Sequence, residues 1–207
     1  MSVKLYGMAG SPNVRGAMLG LAEKGVDYEL VTVLPPFKDA EHLARNPFGR
    51  IPAFEHDGFM LYETQAILRY VDQTFSGPVL RPSDAREVAR MNQILGIIDC
   101  YLFKSWSCDI GFERIIAPNY FGRPSKLETI EAAIPMARCC AEALEDLISA
   151  PYLTGETYSL ADIRLMPHFD WLRQTPEGEA ILADKSKLGQ WFRNVSDRPI
   201  VKQVLLQ

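Results

Sequence analysis

The sequence predicts an α/β domain followed by an all-α domain. Two observations support this division: the first 75 residues alternate short strand-like runs with helical spacing, and the rest shows helical spacing alone. The connector SGPVLRPSD lies between the two patterns. We therefore expect domains at residues 1–76 and 83–207, and 207 residues suffice for two small domains.

The first half contains the strands and their turns. Strands are predicted at VKLY (3–6), YELVTV (28–33), IPAFE (51–55) and FMLY (59–62), and helices over 12–24, about 39–45 and 63–75. Asp57-Gly58 between the last two strands is a strong hairpin signal. Because parallel crossovers are right-handed, this order predicts a small mixed sheet with helices packed against it.

Helical spacing dominates the second half. Helices are predicted over 84–115, 125–149, 159–174 and 186–196. Ser159 and Asp162 stand three residues apart before an apolar run, which is close to a capping box. This motif is structural and implies no chemistry.

Composition and charge argue against a nucleic-acid-binding protein, a membrane protein and a disulfide-rich secreted protein. A net charge of −4 and the lack of a Lys/Arg cluster argue against a nucleic-acid surface. No run approaches the ~20 apolar residues that a membrane span needs, and the N-terminus lacks the apolar run of a signal peptide. The four cysteines fit neither a metal template nor a disulfide framework. We expect free thiols, no metal and a cytoplasmic location.

The segment AGSPN opens the first helix. Ser11 before Pro12 is typical of a helix start, because serine accepts a backbone N–H and proline gives up an N–H that had no partner. A hydroxyl also has a proton to donate, so Ser11 is expected both to cap the helix and to stabilise an anion there. The motif is not GxSxG, which argues against a serine hydrolase.

Ile51-Pro52 stands just before a predicted strand. Proline fits a strand start, and a tight turn there can hold a cis peptide bond. Such a turn leaves the N–H and C=O of Ile51 free to pair with an extended peptide. A simple loop proline explains the same residues.

Glu63-Thr64 opens the helix that closes the first half. The unpaired N–H groups of a helix start suit a carboxylate, with the Thr64 hydroxyl as a further donor, and Glu63 can meet an ammonium group. Together they suggest a site for an α-amino-acid head group. A dipole effect and a cap explain the pair equally well.

Taken together, four segments resemble the glutathione transferase superfamily, as a serine-type, phi-like or bacterial SPN-type member. They are SPNVRGA, KDAEHLARNPFGRIPAFE, YETQAIL and YLTGETYSLADI, in this order across nearly the whole chain. The resemblance implies a thioredoxin-like domain followed by a helical domain, which is the glutathione transferase architecture. It further implies glutathione as co-substrate, a small hydrophobic electrophile as acceptor, and a homodimer.

The resemblance also assigns roles within the glutathione site. The backbone of Ile51 would pair with the cysteinyl part of glutathione, with Pro52 cis. Glu63 and Thr64 would hold the γ-glutamyl end, where threonine replaces the family's usual serine and keeps its hydroxyl.

Two cations would lie at the glycine end of glutathione: Lys38 aligns with a contact to that end, and Arg50 would reach the glycyl carboxylate or the peptide backbone. Phi-like relatives carry a histidine where this chain has Phe37, so one polar contact is lost.

The resemblance implies that Ser11 donates its hydroxyl to the glutathione sulfur. Tyr6, at the end of the first strand, and Asn13 are competitors for that contact. The thiolate would then attack an electrophilic carbon, or a peroxide oxygen, in an apolar pocket to which the helical domain contributes. A non-catalytic binding or scaffold protein is the alternative. His42, His56 and His168 are expected to be surface or structural residues.

Overall fold

The computed structural model describes residues 2–205. Its chain divides into two compact units: the first runs to Leu80 and takes in the segment that begins at Arg198, and the second runs from Arg81 to Asp197. The first unit contains the sheet and the second is mostly helical. The predicted order of an α/β region and a helical region is confirmed.

A four-stranded sheet forms the centre of the first unit. The first unit contains the elements β1 (Val3–Gly7), α1 (Pro12–Glu23), β2 (Glu29–Thr32), α2 (Ala40–Arg45), β3 (Ala53–His56), β4 (Phe59–Tyr62) and α3 (Thr64–Thr74), together with the later helix α10 (Pro199–Leu205). The strand order is β2-β1-β3-β4, with β1 and β2 parallel and the other two pairs antiparallel. The predicted strands are confirmed. The hairpin is confirmed by the antiparallel pairing of β3 and β4, and Asp57 and Gly58 have the positive φ angles of 48° and 85° that this tight turn requires.

Helices α1 and α3 pack closely against each other and the sheet. A Cβ atom at Gly20 would lie 2.4 Å from Cδ2 of Leu68, and one at Gly7 would lie 2.5 Å from Cγ2 of Val14. Both distances are shorter than real Cβ contacts, so glycine lets these elements approach each other.

The two faces of β1 carry different chemistry, because successive strand residues point to opposite faces. Leu5 is completely buried. Tyr6 belongs to a cluster on the other face, with Val33 and Ala53, against which Phe37 and Ile51 pack. The Tyr6 side chain therefore shares a face with the Ile51 turn.

The second unit consists of packed helices. They are α4 (Ala85–Ile97), a π-helix (Ile98–Ile116), α5 (Ala117–Phe121), α6 (Leu127–Leu147), α7 (Leu160–Arg173), α8 (Pro176–Leu182) and α9 (Ser186–Ser196). The prediction of one continuous helix over 84–115 is wrong in its winding, because the second part has the wider i→i+5 pattern. Helices α5, α8 and α10 were not predicted; each is seven residues or shorter.

The two residues of a buried ion pair in the first unit, Lys24 and Asp72, also form hydrogen bonds with the connector. Lys24 Nζ lies 3.4 Å from Asp72 Oδ1 and 2.8 Å from the carbonyl oxygen of Pro78, and Asp72 Oδ1 also accepts from the N–H of Leu80 at 2.8 Å.

Within the described residues, no helix is both long and apolar enough to cross a bilayer.

Candidate glutathione site

Ser11 stands at the N-cap of α1, where its backbone is extended. Its side chain accepts no hydrogen bond from the helix, so the expected side-chain cap is wrong. Backbone contacts close the turn instead: the N–H of Ser11 donates to the carbonyl of Met8 at 3.0 Å, and the N–H of Arg15 donates to the carbonyl of Ser11 at 2.8 Å. The hydroxyl is therefore left for another acceptor.

Helix α3 begins beside this point. Thr64, which is 5% exposed, donates from its hydroxyl to the carbonyl oxygen of Asn13 at 3.4 Å. Because Asn13 lies in the first turn of α1 and Thr64 opens α3, the N-termini of the two helices meet. Two sets of unpaired N–H groups and two positive dipole ends therefore face one region.

Glu63 holds an unusual backbone conformation at this junction. Its φ is 69° and its ψ is 113°, and its exposed side chain makes no cap hydrogen bond. Positive φ in a residue other than glycine stores strain, and such residues cluster at ligand sites. The Glu63 side chain is therefore exposed and is not used as a helix cap.

The Ile51 turn lies in the same unit. The Ile51–Pro52 peptide bond is cis, as expected. In the described part of the chain, neither the N–H nor the C=O of Ile51 makes a backbone hydrogen bond. This segment can therefore pair with an extended peptide.

Both predicted cations belong to the loops around this turn. Lys38 and Arg50 are exposed. A Cβ atom at Gly49 would lie 3.2 Å from Lys38 Nζ, so the ammonium group reaches the segment that carries Arg50. The structure thus brings Lys38, Arg50 and Ile51 together.

Tyr6 does not have a hydroxyl available for a ligand. It donates to Glu55 Oε2 at 2.6 Å, and the guanidinium carbon of Arg45 lies 4.2 Å from the centre of its ring. Burial and the Glu55 carboxylate raise the pKa of Tyr6. The hydroxyl therefore keeps its hydrogen at neutral pH and gives it to Glu55, so it is not left to donate to a thiolate.

Asn13, the other competitor, has its Oδ1 buried without a hydrogen-bond partner. An acceptor oxygen repels a thiolate, so only the amide N–H₂ of Asn13 could stabilise one.

Two residues that hold the Ile51 turn were missed as site residues. His42 and Asn46 both donate to the carbonyl oxygen of Arg50 at 2.9 Å. Both lie in the EHLARN segment that carries the resemblance, but spacing alone does not reveal which carbonyl a side chain reaches.

In the described residues, no group of three or more potential metal ligands occurs.

Comparison with known proteins identifies the family. The family model described as "Glutathione S-transferase, N-terminal domain" matches residues 1–73, and the C-terminal domain model matches residues 128–194. A probable glutathione S-transferase of Oryza sativa is 31% identical, over 98% of this chain and 94% of its own length. The chain belongs to the glutathione S-transferase family.

Solved glutathione transferases agree with this membership. Transferase F7 of Populus trichocarpa superposes with a TM-score of 0.88 at 29% identity, covering 99% of this chain and 98% of its own. Glutathione S-transferase I from maize, solved with an atrazine glutathione conjugate, gives 0.84 at 27%, covering 100% and 97%. The thioredoxin-like and helical architecture, glutathione as co-substrate and transferase activity are therefore confirmed, and a non-catalytic scaffold is not favoured.

Proposed function

We propose that this protein is a serine-type glutathione transferase in which Ser11 stabilises the glutathione thiolate. The observation that carries this proposal is the Ser11 hydroxyl, which is not used as a cap at the point where two helix N-termini meet. Tyr6, by contrast, already donates to Glu55.

The energies are adequate for this role. A free thiol has a pKa of ~8.5, and lowering it by about two units requires ~2.7 kcal/mol of differential stabilisation of the anion. A hydrogen bond to a charged group contributes roughly 1.5–3 kcal/mol. A helix N-terminus adds ~0.3–1 kcal/mol when exposed and up to ~2 when partly buried. One hydroxyl at the start of α1 therefore suffices.

The tripeptide is held along the rest of the site. The Ile51 backbone pairs with the cysteinyl part, next to the cis bond to Pro52. Thr64 and the start of α3 bind the γ-glutamyl carboxylate, while Glu63 meets the ammonium group. The Thr64 proton turns from the Asn13 carbonyl to the ligand.

Charge orients the other end of glutathione. Lys38 and Arg50 offer positive charge to the glycyl carboxylate, and their loops converge at Gly49. The thiolate then attacks the electrophilic carbon of a small hydrophobic acceptor. A carbon–sulfur bond forms, and the leaving group departs with its bonding electrons. We propose that the helical region from about residue 83 contributes the acceptor site.

The test compares Ser11→Ala with the wild-type protein. We expect the pKa of bound glutathione to rise by about one to two units, because the lost hydrogen bond stabilised the thiolate alone. Glutathione affinity should change little. The readouts are the ultraviolet thiolate absorbance of the complex against pH, and the conjugation rate with a generic aryl halide.

Ser76→Ala, at an exposed serine of the same unit, is the control and should leave both readouts unchanged. An identical thiolate titration in wild type and Ser11→Ala would refute the role of Ser11 and shift attention to Asn13.

We further propose a cytoplasmic homodimer. Two exposed apolar side chains of the first unit support an interface: Phe48 is 62% exposed and Met60 36%. Phe48 packs against Tyr62, which lies on the same face of β4 as Met60. Light scattering should give twice the chain mass, and Phe48→Ser should weaken association about 10- to 100-fold, because burial of one phenyl group contributes ~1.5–3 kcal/mol. A monomeric wild-type protein would contradict the proposed homodimer.

The four free cysteines agree with a reducing compartment such as the cytoplasm.

A further inference from the structure

The carbonyl group of Arg50 is held by two side chains from the α2 segment. His42 Nε2 and Asn46 Nδ2 each lie 2.9 Å from its oxygen. His42 is completely buried and Asn46 is 2% exposed. A carbonyl oxygen has two lone pairs, so these two donors satisfy it fully and fix its direction.

This carbonyl belongs to the same peptide group as the N–H of Ile51. The Arg50–Ile51 bond is not among the cis bonds of the chain, and a trans peptide is planar with its C=O and N–H pointing in opposite directions. When α2 holds the carbonyl on one side, the N–H of Ile51 must point to the other. That N–H is one of the two groups offered to an extended peptide.

The geometry also assigns the proton on His42. A carbonyl can only accept, so Nε2 carries the hydrogen and Nδ1 is a lone-pair acceptor. Nδ1 is buried without a partner. A buried unpaired acceptor is unfavourable, and a leucine in this place would avoid it. A leucine, however, could not donate the hydrogen bond that His42 gives to the Arg50 carbonyl.

Backbone hydrogen bonds hold His42 in place within α2. The N–H of His42 donates to the capping carboxylate of Asp39 at 2.8 Å. Its carbonyl accepts from the N–H of Asn46, also at 2.8 Å. Hydrogen bonds thus hold the His42 backbone within α2, and its ring in turn holds the carbonyl of the Arg50–Ile51 peptide.

We propose that His42 is a positioning residue for glutathione, orienting the Arg50–Ile51 peptide so that the N–H of Ile51 faces the cysteinyl carbonyl of the bound tripeptide. His42 itself does not touch glutathione. This inference rests on the proposed function, since it needs Ile51 to bind the cysteinyl backbone.

The test replaces His42 with leucine, which removes the donor, and with glutamine, whose amide nitrogen reaches about as far as Nε2. For His42→Leu we expect the Kd for glutathione to rise about 5- to 10-fold, as for one lost hydrogen bond. The rate at saturating glutathione and the KM for the aryl halide should stay within about twofold. His42→Gln should restore most of the affinity. Calorimetry with glutathione gives Kd, and urea unfolding reports the stability of each variant.

The control is His56→Gln, at a histidine of the same unit that contacts Tyr70 and not Arg50; it should bind glutathione like wild type. If His42→Leu does not fold, His42→Asn replaces it, because its shorter amide cannot reach the carbonyl. Wild-type affinity in a folded His42→Leu or His42→Asn would overturn the proposal while leaving the proposed function intact. A wild-type protein that does not bind glutathione would overturn both.

Discussion

Tyr6 and Ser11 lie close together in the chain, and the fold gives their hydroxyl groups opposite surroundings. Tyr6 is 5% exposed and donates to Glu55 across the sheet, whereas Ser11 has no cap bond at the start of α1. Burial and the neighbouring carboxylate raise the pKa of Tyr6, so its hydroxyl stays protonated, and its bond to Glu55 makes this tyrosine a structural donor. Both residues were candidates by position alone, and their hydrogen-bond partners distinguish them.

Tyr6→Phe is therefore expected to leave conjugation intact. We predict a kcat/KM within about twofold of wild type, and a free energy of unfolding lower by about 1–2 kcal/mol, because Glu55 loses its hydrogen-bond donor. Urea unfolding and a conjugation assay measure the two quantities. A 100-fold fall in kcat with unchanged glutathione affinity would instead make Tyr6 the thiolate contact.

At the scale of one element, the start of α7 depends on a single carboxylate. Asp162 accepts from the N–H and hydroxyl of Ser159, both at 2.8 Å, from the N–H of Leu153 at 2.9 Å and from the indole N–H of Trp191 at 2.8 Å. The spacing of Ser159 and Asp162 predicted the local part. The contacts to Leu153 and Trp191 come from distant residues and join α7 to the preceding loop and to α9.

Asp162→Asn should destabilise the protein by about 2–4 kcal/mol, because the amide N–H₂ would face donors and leave buried groups unpaired. Denaturant unfolding measures this loss. Asp146→Asn, on the exposed surface of α6, is the matched control and should stay within about 0.5 kcal/mol of wild type. Equal stabilities for the two variants would show that Asp162 is not essential to the helix start.

The stability of the whole molecule is coupled to pH through one buried histidine. His168 is completely buried, its Nδ1 lies 2.7 Å from Ser107 Oγ, and its Nε2 contacts Arg164. Arg164 in turn donates to Asp99 at 2.8 Å. Because arginine only donates, Nε2 accepts and Nδ1 carries the proton. Burial and the charge of Arg164 hold the pKa of His168 well below its usual range.

This depressed pKa predicts a loss of stability on acidification. Below pH ~6.5 the unfolded chain protonates His168 and the folded chain does not, so the unfolded state gains up to ~1.4 kcal/mol per pH unit. Urea unfolding at pH 7 and pH 5 should show about 2 kcal/mol less stability at the lower pH. His168→Gln should remove that difference, and His56→Gln should keep it. An unchanged slope in His168→Gln would mean that other groups cause the acid sensitivity.

Features that depend on a few neighbouring residues were predictable. The Asp57-Gly58 hairpin, the helix starts at Pro12 and Thr64 and the Ile51-Pro52 turn follow from local φ and ψ preferences, which act over a few positions. The winding of residues 98–116 was not predictable, because π geometry depends on which carbonyl each N–H reaches in the folded chain, and apolar spacing does not report that.

By itself, the sequence determined the order of the strands and the longer helices, the family, and the residues that lie at the two helix starts, because these features follow from residue spacing and short motifs. Only the tertiary structure decided which hydroxyl group is already hydrogen-bonded. Tyr6 donates to Glu55 between β1 and β3, while the side chain of Ser11 makes no cap hydrogen bond. It also decided that His42 and Asn46 hold the Arg50 carbonyl. Hydrogen bonds are directional and short, so residue type limits the possible partners and the folded geometry selects among them.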